Sequence, residues 1–371
     1  MDKNKLKSIC LRGYKSFQDA KVQFGDITVL LGANGAGKSN LVSFFRMLNF
    51  LSTGALQDYI GRSGGSDSLL HYGRQTTAKM QAEVKFKGND SSTCYIIRLA
   101  DAAPDTLIFT DEHVVFQREN YPHPQEILLG AGHKESRLKE KNREGDQTCK
   151  VLFGMLSRCR SYQFHDTSLT ANIRKSGYIE DAAYLRSDAG NLAAYLHVLQ
   201  KTHGDCYQRI VDTIRLVFPS FSDFVLEPSP RNEKYILLNW RERGHPDYLL
   251  GPHQLSDGTL RFMALTALFF QPSETMSSVI VLDEPELGLH PYAISVFAGM
   301  VKSVAIKTQV ILATQSTRLV DEFEPDQIAV LEIEEESGTQ CKRLDPEKLS
   351  EWLEEYSLSE LWEKNIFGGR P

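Results

Sequence analysis

One run of eight residues constrains this chain more than any other feature. Gly32-Ala33-Asn34-Gly35-Ala36-Gly37-Lys38-Ser39 fits the pattern G-x-x-x-x-G-K-[ST]. The apolar stretch Ile27-Thr28-Val29-Leu30-Leu31 precedes it and reads as a fully buried strand. Leu41, Phe44, Phe45 and Leu48 follow at the i, i+3, i+4, i+7 spacing of an amphipathic helix. Strand, glycine loop and helix are the context in which this pattern has a mechanism. Glycines let backbone N–H groups converge on phosphate oxygens, and the helix N-terminus adds partial positive charge. Lys38 is then expected to reach the β and γ phosphates and the Ser39 hydroxyl to ligate Mg²⁺. Asn34, Gly35, Ala36, Gly37 and Asn40 complete the expected nucleotide contacts.

A strand also ends in paired carboxylates: Val279-Ile280-Val281-Leu282-Asp283-Glu284-Pro285. Alone, such a pair is as often an acidic turn. Beside a phosphate-binding loop it acquires roles: Asp283 linked to the metal that Ser39 holds, and Glu284 as general base for the attacking water.

The remaining chain is organised around these two strands. Its 371 residues allow two modest domains or one large α/β domain with an insertion. With 41% hydrophobic and 24% charged residues it is ordinary globular composition, neither disordered nor rod-like. Short strands are expected at Leu6–Leu11, Val22–Phe24, Ala82–Phe86, Thr93–Arg98 and Thr106–Phe109, with a flexible loop at 61–68. Helices are expected at Ala189–Gln200, Tyr207–Phe218, Thr259–Phe270 and Pro291–Ile306, and strands at Tyr235–Trp240 and Val310–Thr314. This suggests an N-terminal lobe (1–132), a helical, basic insertion (133–225) and a C-terminal lobe (226–371), together one discontinuous head. The formal charge of −6 is unevenly spread. Lys134–Lys175 holds ten basic and five acidic residues, whereas Asp321–Pro371 holds fifteen acidic and five basic. The six cysteines include no C-x-x-C pair, and the start, Met-Asp-Lys-Asn-Lys, is charged. Reduced thiols and a cytoplasmic protein are expected. The longest largely apolar run, Phe262–Phe270, is nine residues, against the roughly 20 of a membrane span.

Further residues carry a family resemblance. Leu255-Ser256-Asp257-Gly258-Thr259 stands where ABC-type ATPases carry L-S-G-G-Q. Asp283-Glu284-Pro285-Glu286 with Gly288-Leu289-His290-Pro291 is similar to the Walker B and D-loop run of ABC-class AAA ATPases. Gly13-Tyr14-Lys15-Ser16-Phe17, the glycine loop and the closing Glu354–Pro371 resemble the RecF, SMC and OLD-nuclease group. The resemblance covers residues 1–50 and 250–335. It implies an α/β P-loop fold of ABC-ATPase type: a mixed or parallel sheet, helices on both sides, and a helical insertion lobe.

It also implies a head-to-tail dimer sandwiching two ATP molecules, in which Ser256 and Gly258 of one copy cap the γ-phosphate held by the other. Ser256 remains open as a plain helix N-cap. The family's switch motif is Thr-His-Ser, whereas this chain has Thr314-Gln315-Ser316; Gln315 can donate to phosphate but cannot titrate. Gln75, after Tyr72-Gly73-Arg74, is a candidate metal-side glutamine and equally an ordinary turn residue. His290 is expected to be structural or D-loop-like, not a metal ligand.

Absences sharpen the expectation. The chain has no length for coiled-coil arms, and 56 residues after Gln315 are too few for an appended nuclease. An ATPase switch with a separately encoded nuclease or toxin, in antiphage defence or DNA repair, is the leading expectation. Alternatives are a scaffold that restrains a toxic partner with negligible turnover, and the ATP subunit of a transporter. Arg137, Lys139, Lys141, Arg143, Arg158, Arg160, Arg174 and Lys175 are candidates for nucleic-acid backbone contact, with Tyr162 and Phe164 for stacking. A docking surface or a solvated face would carry the same charges.

Overall fold

The computed structural model describes residues 4–369; Met1–Lys3, Arg370 and Pro371, parts of the charged start and the closing run, lie outside them. The elements in chain order begin β1 (Lys5–Tyr14), β2 (Phe17–Gln23), β3 (Ile27–Leu31), α1 (Lys38–Thr53) and α2 (Leu56–Arg62). Next come β4 (Lys79–Lys87), β5 (Ser91–Ala102), β6 (Thr106–Arg118), β7 (Gln125–Gly130), α3 (Leu138–Arg143), α4 (Gln147–Ser157) and β8 (Cys159–Tyr162). The middle contains β9 (Gly177–Tyr178), α5 (Leu192–Thr202), α6 (Gly204–Val217), β10 (Phe221–Val225), β11 (Pro228–Ser229), β12 (Asn232–Ile236), β13 (Asn239–Glu242) and β14 (His245–Leu250). Then follow α7 (Asp257–Phe269), β15 (Val279–Asp283), α8 (Pro291–Val304), β16 (Gln309–Thr314) and α9 (Thr317–Val320). The chain closes with β17 (Ile328–Glu334), β18 (Gly338–Arg343), α10 (Pro346–Leu353) and α11 (Leu358–Glu363).

These elements divide into two compact units. The first comprises the described residues of Met1–Ser161, Ser277–Val281 and Gln309–Pro371; the second comprises Tyr162–Met276 and Leu282–Thr308. The division therefore falls inside β8 and inside β15. A twelve-stranded sheet runs in the order β7-β6-β5-β4-β1-β2-β18-β17-β3-β16-β15-β8. β3 lies parallel between β16 and β17, while β1, β2 and β4 to β7 pair antiparallel. This is the mixed sheet expected of the fold. Every residue of β3 and β16 is buried, which explains why both read as unbroken apolar runs rather than alternating ones. Leu41, Phe44, Phe45 and Leu48 of α1 are all fully buried, as their spacing predicts. Gln309 closes one end of the sheet: its buried side chain accepts from the Leu6 amide at 2.6 Å and donates to the Leu6 and Gly25 carbonyls at 2.9 and 2.8 Å.

In the second unit α6 packs on α7 and α8, and two three-stranded sheets, β10-β13-β14 and β11-β12-β9, accompany the helices. The single strand expected over Tyr235–Trp240 is instead two, β12 and β13, in different sheets. Asn239 N–H bonds the Leu237 carbonyl and turns the chain between them. Residues 61–62, expected as loop, end α2. Among the described residues, no helix is long and apolar enough to cross a membrane.

The expected lobe boundary at 133 does not coincide with a structural division, and one buried carboxylate explains why. Glu112 on β6 has no exposed surface. It accepts from Tyr95 and Ser136 hydroxyls at 2.5 Å, from His133 Nε2 at 2.7 Å and from the Arg137 amide at 3.1 Å. Glu135 meanwhile caps α2, accepting from the Leu56 and Gln57 amides at 2.8 and 2.9 Å. Residues 133–137 are thus stitched into the N-terminal unit by hydrogen bonds that a helical texture does not reveal. The expected helical character also fails between β8 and α5, where only a single 3₁₀ turn, Asn172–Arg174, and the two-residue β9 intervene. Burial, and then the Glu112 charge, push the Tyr95 phenol well above its ordinary pKa, so it remains a donor. Glu112→Ala should remove the shared acceptor of the buried Tyr95 and Ser136 hydroxyls and of His133, and cost about 3–5 kcal/mol. Hydrogen exchange should show residues 133–137 losing protection first; unchanged protection there would contradict the assignment.

Candidate functional site

In the first unit the phosphate-binding residues are built by the passage from β3 to α1. Gly37, at the N-cap of α1, has φ 103°, in the left-handed region that favours glycine. A Cβ there would also lie 2.6 Å from Thr339 Oγ1 and 2.9 Å from Ser16 Oγ, so β18 and the β1–β2 turn leave room only for glycine. No acidic side chain occupies the first turn of α1, so nothing competes with an anion for its positive end. Lys38 is 5% exposed, and its ammonium donates to the Gly32 and Ala33 carbonyls at 2.5 and 2.9 Å. The cation is therefore already folded into the loop. Asn34, Gly35 and Ser39 are exposed, and Ala36 is buried. Asn40 departs from expectation: its amide donates to Ser16 Oγ at 2.8 Å and secures the β1–β2 turn to α1.

Gln315 follows directly on β16, whose Thr314 pairs with Leu31, the residue before the glycine loop. The residue is exposed, and Thr314 Oγ1 accepts from the Ser316 amide at 2.9 Å, fixing the turn that presents it. Gln75 is an exposed turn residue; its loop is tied to the β1–β2 turn through the Gly13 and Lys15 carbonyls and His71.

The second unit carries the other motifs. Asp283 is 5% exposed at the end of β15. Gln163 Nε2 lies 3.5 Å from Asp283 Oδ2. Within this unit it is Gln163 that lies beside the Asp283 carboxylate. No residue spacing announces it; only the fold brings 163 to 283. Glu284 has φ 44°, a left-handed conformation for a non-glycine residue preceding proline, hence strained. Strain of this kind persists only where the surroundings over-determine it and clusters at functional sites.

Ser256 proves to be a helix N-cap, accepting from the Thr259 amide at 3.1 Å, and it is also exposed. Gly258 is required for a reason other than phosphate approach. A Cβ there would overlap the Gly288 carbonyl oxygen, so the start of α7 packs directly on the turn after Glu284. Arg261, one turn along, donates to the Phe164, His165 and Leu287 carbonyls at 3.0, 2.8 and 2.9 Å. His290 caps α8, its Nδ1 accepting from the Tyr292 amide at 3.3 Å, a structural role.

Arg174 is a correction. Expected on a nucleic-acid surface, it is 4% exposed and donates to the Thr167, Pro252 and Leu255 carbonyls and to Asp257 Oδ1. Every one of these bonds fixes the Ser256 loop or the segment beside it. Tyr162 and Phe164, expected as stacking groups, are 2% and 6% exposed and form a tilted pair in the interior. Of the remaining basic residues, Lys141 pairs with Glu144 at 2.6 Å, whereas Arg137, Arg143, Arg158 and Lys175 are exposed.

Comparison with known proteins accords with these motifs. A family model described as "AAA ATPase domain" matches residues 5–216. The chain belongs to the AAA ATPase domain family. A second model, "AAA domain, putative AbiEii toxin, Type IV TA system", matches residues 180–321 of this AAA ATPase. No curated protein matches it. Among solved structures, the SmcHead bound to the C-winged helix domain of ScpA is similar at TM-score 0.57 and 16% identity, over 94% of this chain and 99% of that one. The Smc head domain with an extended coiled coil bound to the C-terminal domain of ScpA, derived from Pyrococcus furiosus, is similar at TM-score 0.60 and 14% identity. That match covers 95% of this chain and 99% of the other. At such identities the likeness shows the fold, that of an SMC head. The chain is thus an AAA ATPase with the fold of an SMC head, in accord with the resemblance its motifs carry.

Arg174 also makes a testable mark on Asp257. The hydrogen bond from Arg174 comes first among the causes that hold the Asp257 carboxyl below its ordinary pKa. The pair's stabilisation is therefore present above the ordinary aspartate value and fades as pH falls through the lowered one. In Arg174→Ala the Asp257 pKa should rise, measured by carboxyl NMR titration. Three carbonyls lose their donor, at a cost of about 1–3 kcal/mol each where no water replaces it. An unmoved Asp257 pKa would refute the pairing.

Proposed function

We propose that this AAA ATPase hydrolyses Mg²⁺-ATP and uses nucleotide-dependent, head-to-tail dimerisation as a switch. The observation that carries the reading is Lys38 buried in a glycine loop at the start of a helix whose first turn carries no acidic side chain. The donor chemistry suits the magnesium nucleotide unit by unit: in the first, loop amides and Lys38 suit the phosphates and the Ser39 hydroxyl suits the metal; in the second, the Asp283 carboxylate, with Gln163 beside it, is of the type the motif implies for the metal. When bound, Mg²⁺ would neutralise phosphate charge as the terminal bond breaks. Glu284 orients and deprotonates the attacking water, and its strained backbone is consistent with a side chain held for that task. Gln315 can donate to a phosphate oxygen but cannot change charge with it, which suits slow turnover.

In this reading Ser256 of one copy faces the γ-phosphate held by Lys38 of the other. Ser256 is exposed at the N-terminus of the thirteen-residue α7, whose first-turn Asp257 is paired with Arg174, in a loop that Arg174 also holds through the Leu255 carbonyl. The description of the second family model, with its putative toxin and Type IV TA system, favours a defence setting. In both similar Smc head structures the head is bound by a domain of another protein, which supports a protein partner here as well. Exposed Arg137, Arg143, Arg158 and Lys175 remain candidates for nucleic-acid contact.

Lys38→Ala should abolish ATP binding in calorimetry. Glu284→Gln should retain binding and lower turnover by about 100-fold or more, within the range of general base catalysis. Light scattering of Glu284→Gln with Mg²⁺-ATP should show a mass twice that of the nucleotide-free chain. A monomeric mass under saturating nucleotide would count against the switch, and normal hydrolysis by Lys38→Ala against the loop assignment.

A further inference from the structure

We propose that His165 is a positioning residue: held in one tautomer, it sets the Gln163 amide against the Asp283 carboxylate and braces the Asp283 main chain. The inference deepens the hydrolytic reading above and rests on it for its kinetic part only.

The geometry is a three-group relay within the second unit. His165 Nε2 lies 2.8 Å from the Asp283 carbonyl oxygen, and Nδ1 lies 3.0 Å from Gln163 Nε2. A carbonyl oxygen can only accept, so Nε2 carries the proton. Nδ1 of that tautomer can only accept, so the Gln163 amide must turn its nitrogen toward the ring. The same NH₂ group then faces Asp283 Oδ2 at 3.5 Å. One ring therefore decides which end of the glutamine amide looks at the carboxylate.

The ring's own backbone is anchored. Arg261 holds the carbonyls of Phe164 and His165, and its third nitrogen holds Leu287, three residues beyond Glu284. The Phe164 side chain is buried, so the segment has little freedom to move away. A guanidinium is suited to this because its planar fork offers several donors at fixed angles. Groups that orient a ligand residue from behind are known to matter nearly as much as the ligands themselves. Here the relay reaches both the main chain of the metal-linked aspartate and the side chain of the glutamine beside it.

The test uses the full chain without nucleotide, labelled with ¹⁵N-histidine and ¹⁵N-glutamine. His165→Gln and Gln163→Met assign the resonances. The expected spectrum shows His165 with the proton on Nε2 and the Gln163 side-chain NH₂ protected from solvent exchange. His165→Leu should abolish that protection; His165→Gln, whose amide offers both a donor and an acceptor, should retain it. In turnover, His165→Leu should lower kcat about 10–100-fold with KM for ATP unchanged, and His165→Gln should recover most of the loss. A His165 proton on Nδ1, a Gln163 amide indifferent to His165→Leu, or equal kcat losses in both variants would each overturn the proposal. If the wild-type chain does not hydrolyse ATP, the hydrolytic reading falls alone, because the relay is read in nucleotide-free protein.

Discussion

The first unit depends on one constraint: β3 has no exposed residue, and it must leave the sheet through a loop that ends at the N-terminus of a sixteen-residue helix. Burial on both faces fixes β3 between two parallel neighbours. The helix that follows must return its Leu41, Phe44, Phe45 and Leu48 face to that sheet. Between these two demands the two ends of the loop, Gly32 and Gly37, have only glycine-compatible space, since β17 and β18 approach them closely. A Cβ at Gly32 would lie 2.5 Å from the Leu331 carbonyl, and Gly37 is similarly confined. An anion-binding cradle thus results from packing that hydrophobic burial enforces.

The second unit adds a different device, in which two arginines hold irregular chain whose apolar side chains, such as Phe164 and Leu255, are buried. Arg174 satisfies main-chain carbonyls ahead of Ser256, and Arg261 satisfies those around His165 and Leu287. Irregular segments cannot pair their own carbonyls as helices and sheets do. A guanidinium can satisfy several at once, and it fixes their positions while doing so. The Ser256 loop, the Gln163–His165 segment and the turn after Glu284 are held to α7 or its leading loop by these contacts and by the Gly258–Gly288 approach.

What could be read from the sequence divides along the same line. The positions of Lys38 and Ser39 at the start of α1, of Asp283 at the end of β15 and of Ser256 at the cap of α7 were legible because short runs at fixed spacing encode them. β3 and α7 were likewise legible, since buried strands and capped helices leave local patterns. Gln163 and His165 were not, because they meet Asp283 only through the fold, about 120 residues away in the chain. Arg174 was misread for the same reason: a basic residue in a basic segment resembles a surface charge until its carbonyl partners are known. The boundary at 133 was misplaced because Glu112, a polar residue in a strand, gives no sign in sequence that it gathers His133, Ser136 and Arg137. The comparisons establish the AAA ATPase family and the head fold, while the sandwich rests on the motifs.

The central claim is that Lys38 and Ser256 serve one nucleotide from two different copies. The most direct measurement mixes two inactive variants, Lys38→Ala and Ser256→Arg, and follows phosphate release. In a head-to-tail pair, intact Lys38 of the second variant meets intact Ser256 of the first, so one composite site of two is complete. The mixture should regain turnover, at up to about half the wild-type rate per pair when each site acts alone. A mixture as inactive as its components, with mixed dimers demonstrated by differential tagging, would contradict the claim.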